Sequence, residues 1–184
     1  MERLTERGID RAPATTSPVV DSVVPVAEAL ARFQSGLPRV SKLELAARSR
    51  DELVENFIAA LESGDSARLA ELHVSRAEYA FLYYPTSIYA RKPYELPPDI
   101  AWLLSEQNSR KGRHRIVRRL GGNPLGFRGY ECGPAAKEGE NRFWRSCQVE
   151  YVDPAAGVPV RKRLFGSIIE REGSFKLLSY ANDF

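Results

Sequence analysis

This chain predicts an α+β fold, with N-terminal helices packed in the concave face of a curved antiparallel sheet of about four strands. Three observations lead there. Residues 49–64, SRDELVENFIAALESG, read as one complete helix with both ends marked. From Phe127 onward the apolar period switches from helical to alternating. A helix with a wide apolar stripe needs a sheet or other helices to cover it, and the only long β-rich stretch is the C-terminal third.

Taken in order, residues 1–24 are rich in Pro, Thr, Ser, Val and charge without a sustained period. They read as a disordered or tether-like start. The tether-like segment extends over 1–47 and carries one short helix at 25–35. Pro25 suits a first helical position, and Gly36 suits the position just past the end. Val26, Ala29, Leu30 and Phe33 form its stripe, which docks on the domain's own core or on a partner. Residues 37–48 read as a linker, and the domain proper spans 48–184.

Within that domain, Ser49 and Glu52 stand at capping-box spacing. Leu53, Val54, Phe57, Ile58 and Leu61 fall on one side of the helix, which Gly64 closes. Asp65 caps a short second helix. Ser75 and Glu78 form another capping box, opening Arg76–Tyr84, which Pro85 stops. Residues 85–98 carry Pro85, Pro93, Pro97 and Pro98, so they read as an ordered loop, of the kind that forms lids and rims of pockets. Residues 98–120 read as one broken helix or two, with Gly112 at the break.

The strands follow: FRGYEC, FWRSCQVEYV, VPVRKRLFGSIIE and SFKLLSYAND, paired as an antiparallel meander. Gly166 inside the third predicts a bulge or bend that curves the sheet around the helix. A symmetric hairpin centred on Gly139-Glu140 places Cys132 opposite Cys147, within adjustment of disulfide geometry. A bridge and a pair of buried free thiols are both compatible with the spacing. A bridge favours an oxidising, extracytoplasmic compartment, periplasmic or secreted.

Composition narrows the function classes. The 184 residues carry a formal net charge of +3, and 21 of the 27 basic residues are arginine. A genome-wide coding preference accounts for that skew better than selection for polyanion binding. No run of 18 apolar residues exists to span a membrane, and MERLTERGID offers no apolar signal-peptide core. His73 and His114 lack ligand spacing to each other or to the cysteines, so no metal or cofactor is expected.

The segments ELVENFIAALESGDSARLAEL and RLFGSIIEREGSFKLLSYAND resemble the NTF2-like (cystatin-like α+β cone) superfamily, over about residues 49–184. The resemblance implies a first helix lying in the hollow of a curved sheet, with a cavity between them. It also implies a small-molecule function or a dimer contact through the last two strands. The Pro-rich loop and the basic helix at 98–120 depart from the pattern, and no catalytic residue carries over.

His73 ends the second helix and His114 lies in a basic run. Asp99 suits a first helical turn, and Ser167 and Ser179 lack a local base. Catalytic residues are therefore none. Tyr83, Tyr84, Trp102, Phe165 and Tyr180 are the expected pocket walls, since aromatics with a polar tip suit mostly apolar pockets. Arg110, Lys111, Arg113, Arg115, Arg118 and Arg119 form a basic patch, read first as a solvated, dipole-matched face. The leading function is non-catalytic binding of a small apolar ligand or a protein partner. The alternatives are a small proton-transfer or hydrolytic enzyme and, third, anionic-polymer binding through Arg110–Arg119. Nucleic acid is not the expected partner, because the patch lacks interleaved aromatics.

Overall fold

The structure, a computed structural model, describes residues 24–184. The tether-like reading of residues 1–23 lies outside the described residues. The remainder is α+β, with the helices N-terminal to the strands.

The C-terminal half forms seven short strands: β1 (Gly129–Glu131), β2 (Ala136–Glu138), β3 (Asn141–Trp144), β4 (Gln148–Val152), β5 (Pro159–Lys162), β6 (Ile168–Arg171) and β7 (Ser174–Leu177). They make two antiparallel sheets, ordered β1-β4-β5 and β2-β3-β6-β7. The predicted meander is recognisable in this arrangement, but its second and third strands are each broken in two, and β2 lies in the stretch expected as the hairpin loop. In β1·β4, Glu131 faces Gln148, and in β2·β3, Ala136 faces Phe143. The two halves therefore share one register about the 139–140 turn, with Cys132 opposite Cys147, and the two cysteines are bonded.

The next pair of strands slips by one residue. Trp144 faces Ile168 and Val149 faces Lys162. Residues 145–148 thus lie opposite the longer stretch 163–167. One extra residue bends a strand and interrupts its ladder. Ser146, at φ 56°, adds a left-handed turn to the partner strand at the same level. This is the bend expected at Gly166, and it is sharp enough to divide the sheet.

The helices cover the hollow of that bend. They are α1 (Val26–Gln34), α2 (Arg50–Glu62), α3 (Ser66–Glu71), α4 (Arg76–Glu78) and α5 (Pro98–Leu120). All of Leu53, Val54, Phe57, Ile58 and Leu61 on α2 are buried. They share one core with Val149 and Tyr151 from the first sheet and with Ile168 and Leu177 from the second. Phe57 meets Phe165 edge-on, with ring centroids 5.2 Å apart. Burying each such side chain contributes about 1.5–3 kcal/mol.

Both capping residues act as expected, with one difference. The Ser49 hydroxyl accepts from Glu52 N at 3.0 Å, but the Glu52 carboxylate reaches back to Arg48 N, one residue before the cap. At Ser75 and Glu78 both reciprocal bonds form. α1 docks through buried Phe33, whose ring meets Tyr79, and through Gln34 Nε2, which donates to Ala80 O. Residues 37–48 carry buried Leu43 and Ala47, and Ala47 bridges to Phe175.

The break expected at Gly112 does not occur: α5 runs uninterrupted for 23 residues. Gly112 is buried, and a Cβ built there would overlap the Tyr180 carbonyl oxygen. The glycine is needed for close backbone approach, not to interrupt the helix. Asn182 Nδ2 donates to Gly112 O at 2.9 Å, sealing the C-terminal segment against α5.

Candidate functional site

A cleft of about 970 Å³ opens between the chain after α4, one face of α5 and the bent sheet. Its first wall begins at the Ser75–Glu78 capping box. There the helix widens into a single π-turn, Tyr79–Tyr83, closed by Tyr84 N donating to Tyr79 O. Such turns keep residues four apart on one side and recur at functional sites. Tyr79 and Tyr83 both line the cleft, with ring centroids 5.2 Å apart. The following loop supplies Ile88, Tyr89 and Leu96 as a rim. Tyr84 points the other way and anchors that rim, its hydroxyl donating to Leu96 O at 2.7 Å.

The second wall is α5. Ala101, Leu104, Ser105, Asn108, Lys111 and Arg115 line the cleft at helical spacing. Their character changes along the axis from apolar through neutral polar to cationic. At 1.5 Å per residue, Leu104 to Arg115 spans about 16 Å. The sheet side contributes Glu138 and Arg145, paired at 3.1 Å, and Ser167, Leu178, Ser179 and Ala181.

The phenols are held protonated. Burial pushes Tyr83 up to about 12, helped by Tyr89 and Glu138 and partly opposed by Arg145. Burial also raises Tyr79 well above the ordinary tyrosine value, with Tyr83, Tyr89 and Tyr84 adding to it. At neutral pH these groups are neutral, and a neutral phenol is able to donate a hydrogen bond.

Of the five aromatics expected as pocket walls, Tyr83 alone lines this cleft. Phe165 and Tyr180 belong to the core instead: both are fully buried, and they fill the hollow between α2 and the sheet where a cavity was expected. The Tyr180 hydroxyl donates to Leu69 O. Tyr84 is buried as the loop anchor. Trp102 is half-buried behind the cleft, with its ring 5.1 Å from Tyr79. Tyr79 was not among the expected walls, whereas Tyr89 belongs to the loop expected to form a rim. For Tyr79 the signal was present, because it stands four residues before Tyr83 just after a capping box.

The basic run divides along α5: Arg118 and Arg119 stand one turn beyond Arg115 on the same side of the helix, and Arg110 faces away. Lys111 and Arg115, one turn apart, line the cleft. Arg113 is half-buried with its guanidinium over the Tyr180 ring at 5.6 Å. Arg110, Arg118 and Arg119 are exposed elsewhere on α5.

His73 is a buried structural group. Its Nε2 donates to Leu178 O at 3.1 Å. Burial, reinforced by Arg113 and Lys176, lowers its pKa to about 4 against the two backbone hydrogen bonds that raise it. The ring is therefore neutral at pH 7, so its 3.8 Å approach to Glu106 is not an ion pair. Nearby, Glu78 and Lys176 form a buried ion pair at 2.9 Å. Glu78 also accepts from the backbone N–H groups of Glu44 and Ser75.

Among the described residues no group of three or more His, Cys, Asp or Glu side chains converges to hold a metal, and no helix is long and apolar enough to cross a membrane. No protein-family model matches this chain, and no curated protein or solved structure does either.

Proposed function

We propose that this protein is a non-catalytic domain that binds a small molecule in the cleft beside α5. The observation that carries this reading is the lining itself: three tyrosines and an apolar α5 end enclose a volume within the ordinary range for ligand sites. Phenols held neutral are suited to fixing a ligand by hydrogen bonds rather than to abstracting its protons. The hollow of a bent sheet filled by α2 supports an NTF2-like architecture, in a version whose binding space lies outside that hollow. The Cys132–Cys147 bridge supports an extracytoplasmic location.

The test uses N-phenyl-1-naphthylamine, a neutral dye that brightens in apolar sites. The wild-type chain is expected to give saturable fluorescence enhancement. Ser105→Trp, which places an indole in the cleft, is expected to remove it. Ile88→Ser, at an exposed rim position, is expected to weaken it several-fold without altering the fold. Saturable enhancement indifferent to both substitutions would overturn the cleft as the binding site.

A further inference from the structure

We infer that the cleft selects an amphipathic anion, its apolar body against Tyr79, Tyr83 and Leu104 and its acidic head against Lys111 and Arg115. This rests on the cleft being the binding site and names the class of molecule it takes. The lining carries three cations, Lys111, Arg115 and Arg145, against one carboxylate, Glu138. Glu138 is already paired with Arg145, and among the described residues neither Lys111 nor Arg115 belongs to an ion pair. Two unmatched cations one helical turn apart, at one end of an apolar wall, are complementary to a carboxylate, sulfonate or phosphate on a hydrophobic body. Anions that bridge such a pair make charge-assisted hydrogen bonds to both. The spacing along α5 sets the length: Leu104 to Lys111 is about 10 Å, the span of a bicyclic aromatic acid or a medium alkyl acid. A purely apolar ligand would make no use of the two cations, which are exposed at the cleft. A polyanion would leave the tyrosine wall unused.

The test pairs two dyes with the same aromatic character. 8-Anilino-1-naphthalenesulfonate carries an acid group, and N-phenyl-1-naphthylamine does not. The wild-type chain is expected to bind the sulfonate at least fivefold more tightly. Lys111→Gln with Arg115→Gln is expected to weaken the sulfonate at least tenfold and change the neutral dye less than twofold. Arg118→Gln with Arg119→Gln removes the same charge from exposed positions outside the cleft lining, and is expected to leave the sulfonate within twofold. If both charge pairs weaken the sulfonate equally, or neither does, while Ser105→Trp still abolishes neutral-dye binding, anion selection is overturned and the cleft remains a binding site. If Ser105→Trp leaves both dyes bound as before, both the cleft and its selectivity are overturned.

Discussion

Gly112, in the middle of α5, lies so close to the backbone of Tyr180 that no side chain fits between them. This contact brings the last residues of the chain against the longest helix and fixes the sheet-side edge of the cleft. Alanine inside a helix normally improves on glycine by about 1 kcal/mol. Here the sign is expected to reverse. Gly112→Ala forces apart two backbones, a rearrangement of the overpacking kind that costs about 1–3 kcal/mol. Urea unfolding would measure it, and a variant as stable as the wild type would show that the two segments separate freely.

Glu78 and Lys176 are joined across 98 positions of sequence, with both side chains almost wholly buried. Removing one partner strands the other charge, at a cost of about 3–5 kcal/mol. Lys176→Met alone and Glu78→Gln alone are each expected to destabilise strongly. The double variant is expected to recover part of the loss, because neither charge is then left alone. A double-mutant cycle by chemical denaturation reads this coupling, and strictly additive losses would rule it out.

The state of His73 links folding to pH. Its folded pKa of about 4 lies below the unfolded value of 6.5, so the unfolded chain binds the proton more readily. Its contribution is fully present above pH 6.5 and is lost as pH falls towards 4. The loss approaches about 3 kcal/mol, and Arg113 and Lys176 near the ring act in the same direction. His73→Gln retains a donor for Leu178 O without a proton to gain. Urea midpoints from pH 7.5 to 4 are expected to fall more steeply for the wild type than for this variant.

The Cys132–Cys147 bridge closes a loop of sequence separation 15. Loop-closure entropy places its contribution at about 3 kcal/mol. The paired variant Cys132→Ser with Cys147→Ser is expected to lose roughly this stability and to open the strand pair near the cleft edge at Arg145. Alkylation followed by mass spectrometry is expected to add two labels only after reduction. Labelling without reductant would show the thiols to be free.

Much of the local structure was legible because its causes are local. A capping serine with glutamate three residues on starts a helix wherever the backbone needs its first N–H groups satisfied, as at Ser75 and Glu78. A turn centred on residues 139–140 sets the register of everything beside it, which is why Cys132 meets Cys147. Alternation marked the strands, and the stripe of α2 marked the face it buries. Only tertiary structure decided what those elements enclose. Tyr83 faces the cleft while Tyr84, its neighbour, faces the core, because consecutive residues on a helical turn point about 100° apart and the cleft takes only one of those directions. Phe165 and Tyr180 have the composition of pocket walls, yet they fill the hollow because Phe57 comes to meet them. Gly112 looked like a helix breaker until Tyr180 came against it. The physical reason is range: hydrogen bonds and caps act within a few residues, whereas a cavity is the space left between surfaces far apart in the chain.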